Sequence, residues 1–163
     1  MTTIDNSTLL TIEKTLEIIN SKYLHANINC GGCGVFAKLM AKALKQKGFD
    51  VSFVLTFNRF SISDVERCNE AVNNNKFQNI MPTGWRHILL KVGNHYIDSD
   101  GVYDTADKYL NNSNCSKFSD VYPLSVLEHM TSKKNRNNWN SQFNRVYVSP
   151  ISKLITKHLV LAN

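Results

Sequence analysis

Four cysteines, five histidines and thirteen acids are the side chains of this 163-residue sequence best suited to covalent or proton chemistry. One of them, Cys33, stands at the predicted start of a helix, just after Cys30-Gly31-Gly32. The free N–H groups and the dipole of a helix N-terminus favour an anion, which lowers a thiol pKa. The thiolate is the nucleophilic form, so this is a fitting place for a reactive cysteine. Gly31 and Gly32 let a substrate backbone approach closely, and the amide of Cys33 is a candidate oxyanion donor.

A thiolate nucleophile needs a base, and the base needs an orienting group. His87 leads the apolar run Ile88-Leu89-Leu90, and Asp98 and Asp100 lie on the next predicted strand. A two-residue turn at Gly93-Asn94 gives all three the same strand-face parity. The simplest register pairs His87 with Asp100 and leaves Asp98 as a diagonal neighbour, roughly 7–8 Å away between Cα atoms. A shift of two residues pairs His87 with Asp98 instead. Either carboxylate would hold the imidazole by its far nitrogen, as catalytic triads require. Trp85, two residues before His87, reads either as a cleft wall or as a packing aromatic. His25 is the nearest alternative base to Cys33 in sequence, and His95, His129 and His158 are read as non-catalytic.

These residues need a scaffold. Leu9, Ile12, Leu16 and Ile19 recur at helical spacing within 7–21, with Ser7 or Thr8 as the expected N-cap. A second helix is predicted over 33–47. Cys33, Phe36, Ala37, Met40 and Leu44 lie on its apolar face, Lys38, Lys42 and Lys45 on the other, and Gly48 stops it. Residues 51–57, VSFVLTF, read as a buried strand, and 87–100 as a hairpin. Short helices are expected near 65–72 and 123–130, a strand at FNRVYVS (143–149), and an amphipathic helix after Pro150. Helices first and an antiparallel sheet after them predict an α+β fold.

Length and composition set the outer bounds. A chain of 163 residues fits one domain, 1–163, with a core large enough to need no disulfide or metal staple. Apolar residues at 42% and charged residues at 20% exclude a disordered tail or a disulfide-dense toxin. No apolar run approaches the roughly 20 residues of a membrane helix. The first residues do not read as a secretory signal, so a cytoplasmic protein is expected. The net charge of +6 comes entirely from residues 131–163, which hold six basic side chains and no acid. That end reads as a solvated basic face, because no nucleic-acid motif accompanies it. The sequence leaves the oligomeric state open.

The stretch CGGCGVFA (30–37) resembles the C-G-S-C-W-A-F-A signature of papain-like cysteine proteases. The longer CGVFAKLMAKALKQKGFDVSFVL is similar to the core of transglutaminase-like domains, where the nucleophile opens a helix that ends at a glycine before a strand. HILLKVGNHYIDSDG is similar to the histidine and aspartate strands of that superfamily. The resemblance spans residues 30–100 and implies a papain/transglutaminase-like fold, Cys33 as nucleophile and His87 as base. It implies Asp98 over Asp100 as the orienting acid, because the family aspartate follows an aromatic-x pair, here Tyr96-Ile97. Gly34 replaces the tryptophan of papain-like enzymes. Asn27 stands at the usual oxyanion glutamine position, with Asn29 nearby. The implied activity is cofactor-free acyl transfer of protease, amidase, deamidase or transglutaminase type, on a protein, peptide-like or small amide substrate.

Two rivals share the same residues. Cys30-x-x-Cys33 opening a helix, with Met81-Pro82-Thr83 downstream, resembles the thioredoxin pattern and would make Cys30 the attacking thiol. YLHANIN is too polar for the buried strand that fold requires before its motif. A binding module of the same fold without turnover is the other rival. Zinc is not expected, because Cys68 and Cys115 stand alone and no second paired motif exists.

Overall fold

The computed structural model of the chain describes residues 4–23, 26, 28–139 and 143–161. Its first helix, α1 (Asn6–Lys22), begins at Asp5 rather than at Ser7 or Thr8. The Asp5 carboxylate accepts the Thr8 N–H at 2.7 Å, satisfying one of the helix's free donors. Ile12, Leu16 and Ile19 are buried as their spacing requires. A π-helical turn, Ile28–Gly32, then leads into α2 (Cys33–Gln46). Helix α2 buries Phe36, Ala37, Met40 and Leu44 and exposes Lys38, Lys42 and Lys45, as the period of 3.6 predicts.

The sheet is antiparallel. Its strands are β1 (Ser52–Phe57), β2 (Trp85–Val92), β3 (His95–Ile97), β4 (Val102–Tyr103), β5 (Lys117–Phe118) and β6 (Tyr122–Pro123). Spatial order is β4-β3-β2-β1-β5, and β6 also pairs with β1. β1 is central, and both its faces are covered, which explains its unbroken apolar character. Phe53, Leu55 and Phe57, with Ile88 and Leu90 of β2, join the main core built with α1 and α2. Val54 and Leu89 face the other way, into a smaller cluster with Tyr109.

Helices α3 (Ile62–Asn73), α4 (Ala106–Asn112), α5 (Leu124–Met130) and α6 (Val148–Ile155) complete the α+β architecture. Helix α2 packs on β2, α5 and α6. The expected strand over 143–149 does not form. Phe143–Tyr147 is a π-helical turn running into α6, because Phe143 and Ile151 are spent on the helical side of the core. The alternation of FNRVYVS was a short apolar pattern that fits either structure. No helix among the described residues is long and apolar enough to cross a membrane.

Candidate active site

The β2–β3 hairpin has the two-residue turn expected from Gly93-Asn94. Val92 pairs with His95, Lys91 with Tyr96 and Leu90 with Ile97. Gly93 has φ +58, the left-handed value that a type II′ turn assigns to its first central residue. Extended further, this register would set His87 against Asp100, but β3 ends at Ile97. The chain turns back at 98–101, where the Asp98 N–H donates to the Gly101 carbonyl at 3.1 Å. Asp98 Oδ1 accepts the N–H groups of Asp100 and Gly101 at 2.8 and 3.1 Å. Asp98 Oδ2 is then left for His87 Nε2, 3.0 Å away. The turn chemistry of an aspartate, not the ladder, brings this pair together.

His87 and Asp98 are both buried. Burial alone would depress the His87 pKa, since it disfavours the imidazolium. The hydrogen bond to Asp98, together with the influence of the Cys33 side chain, outweighs it. Together they push the pKa up to about 10. With Nε2 taken by Asp98, Nδ1 is the ring nitrogen left for Cys33. Tyr109 stacks over the imidazole, with ring centroids 6.5 Å apart and planes 7° from parallel. Burial, followed by the charge of Asp98 and Asp100, raises the Tyr103 phenol. Burial, followed by Cys115 and Asp98, raises that of Tyr109. Both therefore stay neutral beside the pair.

Cys33 is the first residue of α2, 4% exposed and free of any disulfide. It does not stand at a bare helix end, however. Gly32 already has right-handed helical angles (φ −102, ψ −13), and the helical run begins at Ile28. The thiol therefore does not face the free amides of a helix terminus. Gly34 has no room for a side chain. An added Cβ would lie 2.1 Å from Cη2 of Trp139. Trp139, far away in sequence, packs directly over this glycine. Gly32 is closed in a similar way by the Phe143 ring, 2.9 Å from a would-be Cβ. It is packed against that ring rather than open to a ligand.

Trp85 owes its place to a bulge. The β1–β2 register shifts between Thr56 and Phe57, so that Phe57 pairs with Trp85 and Arg86 is left over. Trp85 thus joins the helical side of the sheet, where it packs on the main core and meets Trp139 at 5.7 Å between centroids. Its Nε1–H is buried with no acceptor among the described residues. Sequence spacing alone hid this, because a bulge is invisible to a period of two.

Of the remaining candidates, Asn29 is turned to another task. Its Nδ2 donates to Asp100 Oδ2 and its Oδ1 accepts from Ser99 Oγ, both at 2.8 Å. Asp100 is thereby drawn to Asn29, and it is Asp98 that meets the imidazole. Asn27, His25 and the side chain of Cys30 lie outside the described residues. Neither Ser99 nor Asn20 carries a local sequence signature for the bonds they make here.

An open cleft of about 440 Å³ reaches His87 and Asp98 between Arg86, Tyr103 and Tyr109. Larger grooves of about 760 and 810 Å³ lie along α2 and α5 and beside Tyr122. Neither is lined by His87 or Asp98, and Cys33 lines none of the three. Among the described residues, no group of three or more His, Cys, Asp or Glu side chains is placed to hold a metal ion. No protein-family model, curated protein or solved structure matches this chain.

Proposed function

We propose that this protein is a cysteine-dependent acyl-transfer enzyme of papain/transglutaminase-like fold, with Cys33, His87 and Asp98 as its triad. The observation that carries the reading is the buried His87–Asp98 pair, Nε2 3.0 Å from Oδ2, with the Cys33 side chain acting on the same imidazole. Nucleophile, base and orienting acid come from three separate elements, α2, β2 and the turn after β3, and a merely structural histidine needs only one such partner.

In this reading the Cys33 thiolate attacks an amide or ester carbonyl. The C–S bond forms, and the carbonyl electron pair moves onto oxygen. The oxyanion collapses and expels the leaving group, which takes the proton held on His87, leaving a thioester on Cys33. Water or an amine then gives its proton to His87 and attacks the thioester. The C–S bond breaks and the thiolate returns. Asp98 holds the imidazole in one orientation throughout. The substrate class is a protein, peptide-like or small amide.

An electrophilic acyl probe, followed by peptide mapping, tests the assignment. Labelling is expected on Cys33, abolished in Cys33→Ser and in His87→Ala, and largely kept in Cys30→Ser. Disulfide reduction that persists in His87→Ala would replace acyl transfer with thiol–disulfide exchange, which passes through sulfur only.

A further inference from the structure

We propose that Asn29 is a positioning residue, fastening the turn that carries Asp98 to the segment that leads into Cys33 and so fixing the distance between acid, base and thiol. This rests on the cysteine-enzyme reading above. Asn29 lies four residues before Cys33, in the π-helical turn that continues into α2. Its amide joins positions 70 and 71 residues away in sequence, accepting from Ser99 Oγ and donating to Asp100 Oδ2.

The turn is held from three directions. Asp98 Oδ1 ties it internally through the amides of Asp100 and Gly101. Asn20 of α1 donates to the carbonyl of Ser99 at 2.8 Å. Among the described residues, Asn29 links it to the polypeptide leading directly to the thiol. The chemistry at this position is specific. Ser99 presents a hydroxyl donor and Asp100 a carboxylate acceptor, so the bridging group must accept and donate at once, as a primary amide does. Ser99 is 2% exposed, so its hydroxyl has little access to water as a substitute. Surface hydrogen bonds add little to stability. A displacement of about 1 Å between reacting groups, by contrast, can cost on the order of 100-fold in rate.

The test uses the full chain, with two readouts: the pH profile of Cys33 alkylation by iodoacetamide, resolved by peptide mass, and the NMR titration of the His87 ring. Asn29→Ala is expected to slow alkylation at pH 6 by about tenfold or more, as a misplaced base would, and to lower the His87 titration. The reversed pair Asn29→Asp/Asp100→Asn exchanges donor and acceptor at unchanged total charge. It is expected to stay within about threefold of the parent rate, a difference under 1 kcal/mol. Ser99→Ala is a second variant that removes only one of the two bonds, with an intermediate loss expected. Parent-like profiles in Asn29→Ala, or a reversed pair as impaired as Asn29→Ala, would overturn the proposal. If the triad reading itself is wrong, His87→Ala shows it by leaving Cys33 alkylation unchanged. Failure of the Asn29 bracket shows only in the variants.

Discussion

Asp98 meets His87 with one carboxylate oxygen and its own turn with the other. Oδ2 lies 3.0 Å from Nε2, while Oδ1 takes the amides of Asp100 and Gly101. The acid is thus fixed before it fixes the base. Asp100 faces Asn29 instead. Asp98→Ala should therefore slow acyl transfer by roughly 10²–10⁴-fold, the range that positioned proton transfer contributes. Asp100→Ala should cost much less, acting only through the turn. Rates of probe acylation at matched pH check this, and equal losses would assign the orienting role to both carboxylates.

The main elements were readable because their signals are local. Periodicity located α1 and α2, and Gly93-Asn94 fixed the hairpin register. Asp98 over Asp100 came from a family pattern, not from register, and the physical cause is a turn that starts one residue after Ile97. The two-residue strands β4, β5 and β6 were not legible, since no period can be read from two residues. The packing of Trp139 over Gly34 was equally hidden, being a contact between distant segments.

That packing makes a stability prediction. Gly34→Ala would drive a methyl into the Trp139 ring, and overpacking of this kind typically costs about 1–3 kcal/mol. Trp139→Ala opens a cavity beside Trp85 and should cost about 3–5 kcal/mol. The double variant should be more stable than the sum of the two losses implies, because the cavity accepts the methyl. Denaturant unfolding of the three variants measures the coupling, and strict additivity would contradict the contact.

The His87 environment also predicts a pH dependence of folding. Its pKa is raised from 6.5 to about 10 in the folded protein. The folded state therefore binds the proton more tightly than the unfolded chain. The stabilisation from this group is complete below about pH 6.5 and is lost as pH rises toward 10. The stability advantage of the parent protein over His87→Gln should accordingly shrink between pH 6.5 and 10. Unfolding curves at intervals across that window check the sign, and an advantage that grows with pH would contradict it.

The claim that His87 activates Cys33 is tested most directly by the alkylation rate of Cys33 at pH 6, followed by peptide mass in the parent protein and in His87→Ala. A free thiol, with a pKa near 8.5, is largely protonated and slow at that pH. A thiolate–imidazolium pair is already ionised there. The account predicts fast labelling of Cys33 in the parent protein and a loss of about tenfold or more in His87→Ala, on the general acid–base scale. Slow labelling in both proteins, or equally fast labelling in both, would contradict it.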